Sequence, residues 1–109
     1  MSVASLQGGS IDAVEAARLA DSFKLLGDPT RARILYALLD HGELNVTEIA
    51  EAVEVPETSV SHALRLLRTA GIVRNRRAGR MIYYALDDSP VRMVLALSLE
   101  HLRHGTGDG

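Results

Sequence analysis

Two stretches of helical periodicity, Val46 to Val53 and Thr58 to Ala70, are joined by only Glu54-Val55-Pro56-Glu57. A connection of four residues cannot carry the chain away, so the two helices must pack against each other at a fixed angle. The first places Val46, Ile49, Ala50 and Val53 on one side, and the second places Val60, Ala63, Leu64 and Leu67 on one side. Gly71 stops the second helix. The chain then enters two segments, Ile72 to Arg76 and Met81 to Leu86, in which β-branched and aromatic residues alternate with polar ones. Arg77-Ala78-Gly79-Arg80 forms the tip between them. Two short helices followed at once by a basic hairpin describe a winged helix-turn-helix, mainly α with a small β-hairpin.

Charge follows the same boundaries. From Thr58 to Leu86 the chain has six arginines (Arg65, Arg68, Arg74, Arg76, Arg77 and Arg80) and no carboxylate. All 14 Asp and Glu lie in the flanks, ten of them before Thr58, so a formal net charge of −2 conceals a cationic segment. An arginine cluster alone is as readily a solvated strip, but here it coincides with the helix-turn-helix. The outward side of the second helix carries Thr58, His62, Arg65 and Thr69, with Ser59 and Ser61 beside them. Small hydroxyls reach phosphates and base edges, and arginine takes guanine through two hydrogen bonds. Thr58, Ser59, Ser61, His62 and Arg65 are therefore expected in a major groove of double-stranded DNA. Arg76, Arg77 and Arg80 are expected on the adjacent backbone or minor groove, where positive potential is favoured.

The rest of the chain frames this unit. Met1 to Ser10 reads as a flexible tail, residues 11–104 as one DNA-binding and dimerisation domain, and residues 105–109 as a second tail. A first helix is expected from Ile11 or Asp12, stopped by Gly27, with Leu19, Phe23 and Leu26 along one face. Asp28-Pro29 opens another, an N-cap followed by proline at the first helical position, with Ile34, Leu35, Leu38 and Leu39 inward. The last helix carries Met93, Val94, Leu95, Leu97, Leu99 and Leu102 on more than one face. A terminal helix of a 109-residue chain cannot bury all of these against its own core, so a homodimer is expected.

Composition removes other classes. The chain has no cysteine, which excludes disulfides, thiolate metal ligands and thiol redox chemistry. Apolar runs are far too short to span a bilayer, and no basic region precedes an apolar stretch at the N-terminus, so a cytoplasmic location is expected. No Ser/His/Asp order, glycine-rich phosphate loop or paired carboxylates appear, so no enzyme is expected.

Leu25 to Leu39 (LLGDPTRARILYALL), Gly42 to Val53 (GELNVTEIAEAV), Ser59 to Val73 (SVSHALRLLRTAGIV) and Arg76 to Leu86 (RRAGRMIYYAL) together resemble an ArsR/SmtB-type bacterial transcriptional regulator. The resemblance implies a homodimer through the first and last helices, a palindromic operator near its own promoter, and a repressor released by an inducer, often a metal ion. It also directs attention to two metal positions. Where such proteins carry cysteines in the third helix, this chain has Asn45 and Thr47, which are no ligands for a soft metal. At the other position, on the last helix, Asp88 matches the aspartate of an Asp-x-His pair and His101 and His104 match its partners, while Pro90 replaces the first histidine. His101 and His104 stand i, i+3 on one helical face, and with Asp88 they make a nitrogen and oxygen donor set suited to nickel or zinc at a dimer interface. Three alternatives remain: a regulator answering to a non-metal ligand or to none, a transcriptional activator, and a winged helix used for protein docking.

Overall fold

The computed structural model describes residues 10–87 and 89–107. Among these the order is α1 (Ala13–Leu26), α2 (Pro29–His41), β1 (Leu44–Asn45), α3 (Val46–Val53), α4 (Glu57–Thr69), β2 (Val73–Ala78), β3 (Met81–Leu86) and α5 (Ser89–Gly107). The helix starts follow from short polar residues that satisfy otherwise unpaired amides. Asp12 accepts from the Glu15 amide at 2.8 Å, and the Glu15 carboxylate accepts from the Asp12 amide at 3.1 Å. Asn45 and Glu48 repeat this reciprocal cap at α3. Asp28 caps α2 with Pro29 at its first position, and Arg31 Nε donates to the Leu25 carbonyl at 2.9 Å, tying α2 to the end of α1.

The helix-turn-helix turn is one residue tighter than expected, because Glu57 already begins α4. Glu54 makes that possible by taking a left-handed conformation, φ 57° and ψ 45°, as the C-cap of α3. That conformation is costly for a residue with a Cβ, so the packing of α3 on α4 must hold it there. The core between them is closed. Ile34, Leu35 and Leu38 of α2, Ile49 and Val53 of α3, and Val60, Leu64 and Leu67 of α4 are buried together with Val73, Leu86 and Leu95. Each such aliphatic side chain contributes about 1.5–3 kcal/mol on burial.

The sheet has the order β1-β3-β2, antiparallel throughout. Val73 pairs with Leu86 at the buried end and Ala78 with Met81 at the tip. The connection is only Gly79-Arg80, and Gly79 takes φ +64° as a two-residue hairpin requires at its first position. The strand β2 thus runs two residues further than the sequence pattern indicated, and the paired part of the wing reaches Ala78 and Met81.

The two outer helices differ from this. The apolar face of α1 is largely uncovered: Leu26 is half-buried, but Leu19 and Phe23 are exposed, Phe23 by 58%, and α1 buries no residue. In α5 only Leu95 is among the core residues, while Met93, Val94, Leu97 and Leu102 are exposed. The α5 helix continues to Gly107, three residues past the expected boundary. It is anchored by Tyr36 of α2, whose hydroxyl donates to the Leu95 carbonyl at 2.8 Å, and burial raises that phenol's pKa. No helix among the described residues is long and apolar enough to cross a membrane.

Candidate nucleic-acid interface

The α4 helix divides cleanly. Val60, Ala63, Leu64 and Leu67 are buried, and Thr58, Ser59, Ser61, His62, Arg65 and Thr69 are exposed. Its apolar side is held by α2 and α3, so the polar side is presented by a rigid support. Thr58, Ser59 and His62 line a shallow cleft with Asp28, Thr30 and Arg31. The first turn of α2 therefore belongs to the same surface as the α4 face. Its residues read from the sequence as a helix start only, and they are that too: Asp28 accepts from the Arg31 amide at 3.0 Å. No local pattern could pair Thr30 with His62, because only the packing of α2 on α4 brings them together. At the turn, the Thr47 hydroxyl donates to the Glu57 carboxylate at 3.2 Å, linking α3 to the start of α4.

On the wing, the structure separates arginines that the sequence grouped. Arg77 and Arg80 sit at the tip and are exposed, and Arg77 Nε donates to the Gly79 carbonyl at 3.1 Å. Arg76 departs from the expectation of a cation open to a phosphate. Its Nε and Nη2 donate to the two carboxylate oxygens of Glu43 at 2.6 and 2.8 Å, and its guanidinium lies 5.1 Å from the centre of the Tyr83 ring. The hydrogen bond from Arg76 holds the Glu43 carboxyl below the usual carboxylate range, with Arg74 adding to the effect, and Glu43 in turn raises Arg76. A segment without acids in the sequence is thus met by an acid in space. Glu43 is the site residue that sequence reasoning missed, since it lies 33 positions from Arg76 and outside the cationic stretch.

The expected metal ligands stand differently. His101 and His104 are both exposed on α5, and His104 Nε2 is 3.9 Å from a carboxylate oxygen of Glu100. Asp88 lies outside the described residues. Among the described residues of one chain, no group of three or more His, Asp or Glu could hold an ion. The two imidazoles suit a borderline divalent metal by their chemistry, but a complete donor set needs groups from elsewhere.

Comparison with known proteins agrees with the geometry. Residues 28–75, from the cap of α2 into β2, match the model of the bacterial regulatory protein arsR family. The chain is 40% identical over 85 residues to a cadmium resistance transcriptional regulatory protein CadC homolog of Staphylococcus aureus, covering 78% of this chain and 70% of that one. It is also 40% identical over 94 residues to the HTH-type transcriptional regulator NmtR of Mycobacterium tuberculosis, covering 86% and 78%. Among solved structures it resembles a homodimeric winged helix-turn-helix DNA-binding domain of Mycobacterium bovis, a possible ArsR-family regulator, with TM-score 0.75, 33% identity and coverage of 88% and 94%. With the polar face of α4 presented beside a basic wing, the chain belongs to the arsR family of bacterial regulatory proteins, DNA-binding transcriptional regulators and not enzymes.

Proposed function

We propose that this chain is a metal-responsive repressor that binds a palindromic operator as a homodimer. The observation that carries the DNA-binding reading is the split of α4, with Val60, Leu64 and Leu67 buried and an opposite face of hydroxyls, His62 and Arg65 exposed. Thr58, Ser59, Ser61, His62 and Arg65 enter the major groove, and Arg77 and Arg80 of the wing meet phosphates or the minor groove.

Dimerisation is supported by the apolar residues that α1 and α5 leave in water. Val14, Phe23, Met93, Leu97 and Leu102 are each more than half exposed, a cost that a symmetric partner removes. The homodimer from M. bovis supports the same assembly. A two-fold axis then sets two α4 helices about 34 Å apart, one DNA turn.

Metal response is supported by the cadmium-resistance relative and by His101 and His104 on one face of α5. These two imidazoles, with Asp88 of the partner subunit, would hold nickel or zinc, and the ion supplies a cross-link between copies that shifts the dimer between two geometries. One feature favours a second reading. A groove of about 330 Å³ between α1 and α5, lined by Leu19, Phe23, Leu26, Val91, Val94 and Leu95, would suit a small apolar effector.

The test is a fluorescence-anisotropy titration on DNA from the chain's own promoter at fixed salt, with and without each ion. Selective binding is expected, falling when nickel or zinc is added. Binding that rises with metal would make the chain an activator or co-repressed regulator, and indifference to every ion would favour the apolar effector. Replacing His101 and His104 with Ala should remove metal dependence and leave DNA affinity unchanged. Arg65→Ala should weaken operator binding by about 1–3 kcal/mol if it reads a guanine.

A further inference from the structure

Glu43 is firmly engaged beside the wing, yet it has no part in the contacts proposed for DNA. It precedes β1 by one residue, and β1 pairs with the far side of β3 through Asn45 opposite Tyr83. Tyr83 is also the cross-strand neighbour of Arg76 on β2. The Glu43 carboxylate therefore reaches past β3 to Arg76, with the guanidinium over the Tyr83 ring. A single side-chain chain spans the width of the sheet, from the approach to β1, through β3, to β2. Its geometry is specific to arginine, because paired Nε and Nη2 bonds to one carboxylate together with stacking on an aromatic face need a planar fork.

The arrangement also bears on what Arg76 offers a duplex. Its charge is matched one to one by Glu43, so the pair as a unit neutralises no phosphate and releases no counterion. Breaking the pair to free Arg76 would leave the Glu43 carboxylate unmatched beside a polyanion. Holding the pair closed avoids that repulsion and fixes the base of the hairpin, leaving Arg77 and Arg80 at the tip to meet the backbone.

We propose that Glu43, Arg76 and Tyr83 form a clasp that sets the angle of the wing against the helix-turn-helix, so that Glu43 and Arg76 are positioning residues and not phosphate contacts. The consequence for DNA rests on the function proposed above, whereas the clasp itself is measurable without DNA.

The experiment compares Glu43→Gln, Arg76→Lys, Arg76→Ala and Arg80→Ala with the unaltered chain. Operator affinity is measured across a salt series on a promoter fragment, and amide hydrogen exchange of the hairpin is measured without DNA. The clasp requires Arg76→Lys to behave like Arg76→Ala, because lysine keeps the charge that a phosphate needs but cannot make the fork. Both variants and Glu43→Gln should weaken operator binding several-fold and speed exchange at the hairpin several-fold, and the double variant Glu43→Gln with Arg76→Ala, which removes both charges, should keep the salt slope of the unaltered chain. Arg80→Ala should lower the slope by about one, as a lost phosphate contact does. The double variant Glu43→Gln with Arg76→Ala should be no worse than either single one.

The proposal is overturned if Arg76→Lys binds like the unaltered chain while Arg76→Ala loses a unit of slope, which would make Arg76 a phosphate contact. It is equally overturned if Glu43→Gln tightens binding and steepens the slope, which would make Glu43 a competitor of DNA. Unchanged hairpin exchange in Glu43→Gln also sinks it. Should the unaltered chain show no preference for promoter DNA, the proposed function fails, and hydrogen exchange still decides the clasp.

Discussion

The body of the molecule, α2 to β3, and its two outer helices solve the same burial problem in opposite ways. In the body, side chains cap the starts of α2 and α3, and the aliphatic residues of α2, α3, α4 and the base of the sheet are buried together. The outer helices have comparable aliphatic content, yet α1 buries no residue and α5 only Leu95 among its described side chains. The body thus covers most of its own aliphatic surface, while α1 and α5 leave theirs largely exposed. Side-chain hydrogen bonds to carbonyls join the two regions, from Arg31 of α2 to Leu25, from Arg92 of α5 to Leu86, and from Tyr36 of α2 to Leu95.

Substitutions on either side of the division should separate the two regions. Leu64→Ala empties the center of the body, where nothing can collapse to fill the space, and should cost about 2–5 kcal/mol in a denaturant melt. A loss well under 1 kcal/mol would mean that the body is no better packed than the arms. Leu97→Asp on α5, where the side chain is 62% exposed, should leave the monomer fold intact by circular dichroism. Sedimentation should show it monomeric, with operator affinity down by at least about tenfold because a half-site is lost. A dimeric Leu97→Asp variant would move the interface elsewhere.

Tyr36→Phe tests one of the links between the regions. Losing one hydrogen bond should cost about 0.5–1.5 kcal/mol, and hydrogen exchange should rise in α5 while the body stays protected. The smallest effect concerns pH. The Glu43 carboxyl is lowered in the folded chain by its hydrogen bond to Arg76, so its contribution is complete above the ordinary carboxylate range. It is lost only as pH falls through the lowered value, so acid should loosen the wing and alkali should not. The ¹⁵N shift of Arg76 Nε should report this, unchanged from neutral pH to the ordinary carboxylate range and moving only below it. A shift moving near neutrality would contradict the pairing.

Much of this was legible from residues in order. Asp12 with Glu15, Asn45 with Glu48, and Asp28 before Pro29 act within one helical turn, and the spacing of Val60, Ala63, Leu64 and Leu67 names its own buried face. The family resemblance carried by the same segments proved sound for the same reason: its motifs are local and contiguous. The periodicity of Leu19, Phe23 and Leu26 was equally plain but incomplete. It shows that a face is apolar, but not whether the chain itself or another surface covers it.

What the linear chain determined by itself is therefore the set of helices and the hairpin, their caps, the polar face of α4 and the excess of arginine that follows it, because each depends on neighbours a few positions away. Tertiary structure alone decided which charges remain available. It set Glu43 against Arg76 across 33 residues, brought the first turn of α2 beside His62, and left the apolar sides of α1 and α5 uncovered. The physical reason is range: backbone hydrogen bonds and helical spacing are fixed by sequence separation, whereas pairing of charges and covering of apolar surface depend on distance in space.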